Sequence, residues 1–441
     1  MCFIKGDLST RLSGLIMGFG MFTRGQIIKG LAYLFFQITF ILFMIIRGLD
    51  YIIGLQTLGT VGQTRIFDEV RGIYVVYPGD NSMLMLLFGV ATIFVVISFF
   101  LVYLSNLKTC YANQVSINNG IRPRNFRQEI DFYLNEKYHV TILTIPVIGT
   151  FMFTILPLIF MILIAFTNFD KNHQPPGNLF TWVGFNNFKD ALWNDPLKST
   201  TFFGLLIWTL VWAVLATALN YILGMILALM INKKGIKLKK FWRTIFVITI
   251  AVPQFVSLLL MSQLLADQGT LNVILRQLGF VKDFFPFLSN GDVAKFTVII
   301  VNLWVGVPYS MLITSGILMN IPVDLYESAK IDGANARVQF MKITLPYMLF
   351  VTGPYLITQF IGNINNFNVI YLLTGGGPLT LNYYQAGKTD LLVTWLYKLT
   401  VNEQNYSLAS TIGIFIFLLS AFFSLLVYNK TSSAKKEDEF Q

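Results

Sequence analysis

Cysteine, histidine and charge are what this chain has least of. Its 441 residues include 2 Cys and 2 His, and charged residues make up 12%. Cys2 and Cys110 both fall in segments that charge bias assigns to the inner side, so no disulfide framework is indicated. His139 and His173 stand in different connecting segments, and with two distant thiols they cannot assemble a metal site. A soluble globular domain carries about a quarter of its residues as charges, so 12% excludes that class. A phosphate-binding loop needs G-x-x-x-x-G-K-[ST] so that backbone amides can wrap the phosphates. The nearest approach is Asn382 to Thr389, NYYQAGKT, which has Asn where the first Gly must stand. No ATP site is therefore expected in this chain. No tandem repeat is visible, and no low-complexity run beyond the charged tail KKEDEFQ.

What is abundant is apolar: 55% hydrophobic residues and a mean hydropathy of +0.64 describe a polytopic membrane protein. Crossing roughly 30 Å of hydrocarbon at 1.5 Å per residue takes about 20 residues of helix. Eight runs of this kind occur, near 31–47, 83–104, 142–167, 203–230, 244–266, 296–319, 347–372 and 406–428. Runs this long are too long for barrel strands, so an all-α fold of eight transmembrane helices is expected. The N-terminus lacks a cleavable signal pattern, and the first run is expected to remain in the protein. With the N-terminus inside, inner segments hold 21 of the 32 Lys and Arg, six of them in 231–243. The bias predicts cytoplasmic N- and C-termini. It also explains the net charge of +10 by anionic headgroups rather than by nucleic acid. The interiors of the eight runs hold no Asp, Glu, Lys, Arg or His. Ion-coupled carriers use such intramembrane charges, so an ion-driven secondary sugar carrier is the disfavoured alternative. A membrane-embedded enzyme is disfavoured too, since no acid pair or nucleophile–base set falls in or at the ends of the runs.

The chain divides into 1–140, an accessory region with two spans, 141–430, a block of six spans, and 431–441, a charged tail. A basic segment from Gly14 to Gly30 is expected to lie at the membrane surface, and 121–139 to form one or two inner helices. Between the sixth and seventh runs lies a polar segment, 322–346. Pro322 can start a helix because a first-turn proline loses no hydrogen bond. Asp324 and Glu327 then sit near the positive end of its dipole. Leu325, Tyr326 and Ala329 offer a small apolar stripe suited to a partner's groove. Asp332-Gly333 breaks the helix, and Pro346 marks re-entry to the membrane. On the residues alone, an amphipathic loop lying at the headgroups reads equally well.

Residue by residue, however, Glu327 to Pro346 resembles the EAA loop of the permease subunits of bacterial ABC importers. That motif runs E-A-A, three residues, G, nine residues, I-x-L-P. Here it reads Glu327, Ser328, Ala329, Gly333, Ile343, Leu345 and Pro346, with Ser328 as the one departure. The resemblance implies a type I ABC importer permease core of six helices, with two extra N-terminal helices in this chain. It implies ATPase-coupling roles for Leu325, Tyr326, Glu327, Ala329, Asp332, Gly333 and Ala334. Gly333 is the critical position, because a side chain would block the turn. The implied partners are a second homologous permease, two ATP-binding cassette subunits that hold ATP and Mg, and an extracellular solute-binding protein.

Two further segments, NLWVGVPYSML (302–312) and NNFNVIYLLTGGGP (365–378), resemble the MalF-like large permeases of maltose and maltodextrin systems. TWVGFNNFKDALWNDP (181–196) is similar to the G-x-x-N-[YF] outer segment of sugar permeases. The implied location is a bacterial cytoplasmic membrane and the implied cargo an oligosaccharide, with another sugar or a polyol as the alternative. The resemblance carries a sugar site onto Asn302, Val305, Gly306, Tyr309 and Asn365. Neutral Asn and Tyr suit hydroxyls, aromatic rings stack on pyranose faces, and glycine lets a ligand approach the backbone. Ile250 and Ile364 stand where the family has Tyr and Phe. The other reading of Asn302, Asn365 and Asn366 is hydrogen-bonded glue between helices.

Overall fold

The fold was analysed in a computed structural model, which describes residues 2–69, 71–233 and 235–428. The expected charged tail, 431–441, lies outside the described residues. Eight helices among these are long and apolar enough to cross a membrane. They are Ile27–Thr57, Ser82–Asn118, Tyr138–Ile164, Pro196–Asn232, Gln254–Gln277, Gly291–Leu318, Ala336–Thr374 and Tyr406–Leu426. Several outrun the hydrocarbon thickness, so charges absent from the run interiors appear toward helix ends, as Arg47 and Asp50 do in the first span.

Two compact units are present, Met1–Gly184 and a second beginning at Phe185. The first unit holds three spans rather than the two of the expected 1–140 region. In it the Gly14–Gly30 segment does not simply lie flat. Its backbone is clipped to the first two spans: the Gly18 amide donates to Asn106 Oδ1 at 3.0 Å and the Met17 amide to Gln37 Oε1 at 2.8 Å. Met17 and Met21 are fully buried beneath it. Of the one or two helices expected in 121–139, one is present, Phe126–Leu134, opened by a capping box in which Asn125 and Gln128 each satisfy the other's backbone amide. The connection between the first two spans contains an antiparallel hairpin of Thr64–Asp68 with Ile73–Tyr77.

In the second unit the fourth span is the central element. Its Trp212 indole donates to the Asn363 carbonyl at 3.1 Å, and its Trp208 indole to the Thr389 carbonyl at 3.1 Å. Both rings pack in one buried cluster with Leu258, Val298, Val369 and Ile370. The Asn363 carbonyl, at the helix end, also takes the Asn366 amide at 3.2 Å, so the Trp212 indole is its second donor.

Two spans are broken. Around the fifth, a helix Lys239–Ala251 stops at Val252 and Pro253, both extended, and Gln254–Leu265 begins anew. Proline has no amide to give the Thr249 carbonyl, so the ladder cannot run through. The seventh ends at Ile364 and resumes at Phe367–Thr374, with the Asn366 side chain capping the second helix through the Val369 amide at 3.2 Å.

Beyond the seventh span, the Gly375–Pro378 turn closes over a buried ion pair. Asp390 takes Lys398 Nζ at 2.6 Å, Thr394 Oγ1 at 2.9 Å and the Gly387 amide at 2.7 Å. Burial pushes the Asp390 carboxyl upward, opposed by the Lys398 ammonium. A Cβ on Gly376 would fall 1.8 Å from Asp390 Oδ1, so the turn packs directly on the carboxylate.

Candidate functional site

Between the two helix breaks lies a cavity of about 470 Å³ within the second unit. It takes residues from the fourth span, the fifth-span break at 249–254, the sixth span and the seventh-span break. Asn302, Val305, Gly306 and Tyr309 all line it. Tyr309 is half exposed, its ring 6.4 Å from that of Tyr355. Gly306 has a specific reason to lack a side chain. Its Cβ would sit 2.2 Å from Asn220 Nδ2 and 2.5 Å from Asn220 Cγ, so the carboxamide of the fourth span occupies the glycine's notch.

Asn365 is placed differently from expectation. It is exposed outside the cavity lining, and its Nδ2 folds back to the Ile361 carbonyl at 3.1 Å. The seventh span contributes Gln359, Asn363 and Asn366 instead. Asn363 Nδ2 donates to Thr217 Oγ1 at 3.0 Å, and Asn366 Nδ2 to Asn363 Oδ1 at 3.2 Å. The break and the fourth span thus fix this pair. Ile364 is fully buried in the packing of the second unit, whereas Ile250 lines the cavity. Asn220, Gln254, Gln359 and Asn363 were not picked out from sequence, although Pro253 was a usable marker for Gln254.

The lining is polar without being charged. Six carboxamides face it (Asn220, Gln254, Asn302, Gln359, Asn363 and Asn366), with Thr249, Ser257 and the rings of Trp304 and Tyr309. None of its residues is Asp, Glu, Lys, Arg or His. Asn220 Oδ1, an acceptor, and Asn302 Nδ2, a donor, are buried with no hydrogen-bond partner in the protein. Each such orphan costs about 1–3 kcal/mol when left unmade. Neither atom has accessible surface, so a ligand hydroxyl, at once donor and acceptor, could satisfy either only after the carboxamide turns toward the cavity.

The second predicted site is the loop 322–346. Its helix Val323–Ile331 starts after Pro322, as the sequence indicates. The C-terminal turn is a Schellman motif: the Gly333 amide donates to the Lys330 carbonyl at 3.0 Å and the Ala334 amide to Ala329 at 2.8 Å. This brings Ala329 and Ala334 together and sets Gly333 at φ +79°. Nothing lies within 4 Å of a Cβ built there, so left-handed backbone, not crowding within this chain, demands the glycine. Asn335 then caps the next turn through the Val338 amide at 2.9 Å. Leu325, Glu327 and Asp332 are exposed. Tyr326 is not turned outward: its hydroxyl shares a 2.9 Å hydrogen bond with Thr344 Oγ1, tying the helix to the start of the seventh span. The exposed apolar surface is completed by Val323 and Ile331, the latter 87% exposed.

Residues 220–432 match the family model described as binding-protein-dependent transport system inner membrane component. The galactooligosaccharides transport system permease protein GanP of Bacillus subtilis (strain 168) is 35% identical over 429 residues, 97% of this chain and 98% of that protein. This chain belongs to that transport family. The maltodextrin transport system permease protein MalC of Streptococcus pneumoniae serotype 4 is also 35% identical, over 97% of this chain and 96% of that protein. The maltose/maltodextrin permease MalF of Vibrio vulnificus (strain YJ016) shares 37% identity over 59% of this chain and 50% of its own length. Among solved structures, a bacterial ABC transporter involved in import of the acidic polysaccharide alginate aligns with a TM-score of 0.57 at 23% identity. It covers 69% of this chain and 98% of that one. The fold is therefore that of an ABC importer permease, a multi-pass membrane protein with six core helices and two more at the N-terminus.

Proposed function

We propose that this chain is the permease subunit of an ATP-driven importer for a neutral oligosaccharide of the maltodextrin type. The observation that carries the reading is the cavity at the helix breaks, ringed by six carboxamides and no charge. A neutral polyhydroxy ligand matches that lining, whereas a carboxylated or cationic ligand would be desolvated there without a counter-charge. Relatives 32–35% identical over 97% of the chain carry galactooligosaccharide and maltodextrin names, which supports the same cargo class. Asn302, Gly306 and Tyr309 serve the sugar together with Asn220, Asn363 and Asn366, and Asn365 does not.

Energy enters through the loop 322–346, with ATP and Mg held by two partner ATPase subunits. Leu325 and Ile331 supply the apolar contact, Glu327 and Asp332 the charged rim, and Ala329, Gly333 and Ala334 the turn that sets the helix direction. Tyr326 acts from inside, through Thr344, as the link to the seventh span. A second permease completes the pathway and an extracellular binding protein delivers the sugar. Both termini lie in the cytoplasm, and the six-span block from about 141 to 430 is the transporting unit.

Reconstituted complex should show ATPase stimulation by binding-protein-delivered neutral oligosaccharides. Stimulation by an acidic oligosaccharide alone would overturn the cargo assignment. In intact cells an Arg337→Cys variant should resist an impermeant thiol reagent while Thr380→Cys reacts. Labelling of Arg337→Cys from outside would reverse the topology and remove the coupling role.

A further inference from the structure

A larger cavity, about 810 Å³, lies wholly in the first unit and shares no residue with the cavity of the second. It opens where the first span begins and beside Ser105 and Thr109 of the second, and is bordered by the helix Phe126–Leu134. It therefore stands at the level where a membrane's acyl region meets its headgroups. Ile27, Ile28, Ile130 and Leu134 give it an apolar floor, and Lys29, Arg124 and Glu129 a charged rim. The rim is not left to chance. Lys29 Nζ is paired with Glu129 Oε1. The Arg124 backbone is held by a chain of amides, in which Asn113 Nδ2 donates to Gln26 Oε1 and Gln26 Nε2 to the Arg124 carbonyl, each at 2.7 Å. The Arg124 guanidinium lies 3.7 Å above the Phe132 ring, and its carboxylate contact, Glu136, is long at 3.9 Å and exposed. Glu129 is thus spent on Lys29, and Arg124 keeps only the long, exposed contact with Glu136.

We propose that this cavity binds an anionic glycerophospholipid, its phosphate on Arg124 beside Lys29 and the upper part of an acyl chain along the isoleucine floor. Its volume lies within the ~300–1,000 Å³ that holds a small-molecule ligand, enough for a headgroup, glycerol and the start of a chain. A free phosphate would leave the apolar floor wet, and an uncharged lipid would leave the arginine with only its long, exposed contact to Glu136. The placement at the anionic leaflet rests on the cytoplasmic reading of this end of the span, which the cysteine labelling above tests separately.

The test is native mass spectrometry of the purified complex after exchange into mixed phosphatidylglycerol and phosphatidylcholine of identical chains. A basic residue at the surface is worth about 1 kcal/mol toward an anionic lipid, or about fivefold. Wild type should retain phosphatidylglycerol about fivefold over phosphatidylcholine. Arg124→Gln should bring the ratio near one, and Glu129→Gln, which frees Lys29, should raise it. Ala32→Trp, filling the cavity, should lower retention of both lipids. A wild-type ratio of one, or an unchanged ratio in Glu129→Gln, overturns the proposal. So does displacement of the retained lipid by inorganic phosphate alone.

Discussion

Gly306→Ala tests the sugar cavity with a single methyl group. The new Cβ would lie 2.2, 2.5 and 2.8 Å from Nδ2, Cγ and Oδ1 of Asn220. No carboxamide tolerates three such contacts, so Asn220 must swing out of the notch. The helix itself does not resist the change. Alanine is favoured over glycine within a helix by about 1 kcal/mol, which offsets part of the repacking. The variant should therefore insert and assemble, with its loss confined to the ligand. A displaced Asn220 removes one polar partner from a buried ligand, about 1–3 kcal/mol, or about 5- to 150-fold in affinity. The assay is sugar-dependent ATPase stimulation in the reconstituted complex, run as a double-mutant cycle with Asn220→Ala. If Gly306 acts through Asn220, then Gly306→Ala should cost little more in the Asn220→Ala background. Unchanged affinity in Gly306→Ala, or full additivity of the two changes, would refute the reasoning.

Three other outcomes are expected. Asn363→Ala should weaken sugar stimulation by about 5-fold or more, through loss of one or two polar contacts, while Asn365→Ala leaves it unchanged. The opposite ranking would return the site to Asn365. Gly333→Ala forces an L-residue to φ +79°, at about 1–2 kcal/mol locally. It should uncouple ATPase from transport in a complex whose sugar affinity is intact, and normal uptake at normal ATPase rates would sink the coupling role. Lys398→Met leaves Asp390 buried without its counter-charge and should destabilise by about 3–5 kcal/mol, read as a fall in thermal stability. Asp390→Asn should restore much of that loss in the double variant.

The spans were readable because membrane thickness imposes a length that no other force in the sequence mimics. Their continuity was not. A hydropathy run over 244–266 passes straight through Pro253, since valine and proline cost little in hydropathy even where they end a helix. The Asn365 error has the same origin. Helical periodicity assigns faces only while the helix continues, and it stops at Ile364. Asn365 then sits at φ −99°, ψ 21° as the C-cap, its side chain bonded to its own last turn. Asn363 and Asn366, on either side, turn inward. The sixth span is unbroken through 302–309, and Asn302, Val305, Gly306 and Tyr309 line one cavity. Tyr326 was misjudged because amphipathic spacing cannot register a hydroxyl partner 18 residues away. The hairpin is legible in hindsight only from composition, since Ile73–Tyr77 is β-branched and aromatic throughout.

The breaks and the carboxamides explain one another. In a bilayer a helix may stop only where its freed backbone groups find partners, in protein or in a water-filled cavity. The fifth span stops at Pro253 and the seventh at Asn365, and residues on either side of each break line the same cavity. Asn363 and Asn366, three apart, would share a face in a continuous helix as well; what the break adds is a helix start, which Asn366 caps through the Val369 amide. A side chain on Gly306 could not coexist with Asn220 between the fourth and sixth spans. Packing glue would pair its amides fully with one another; here one acceptor and one donor stay buried and unmatched, on Asn220 and Asn302. A cavity walled by carboxamides, with two helix breaks beside it and two amide atoms unmatched just behind its wall, suits a ligand that brings its own hydroxyls.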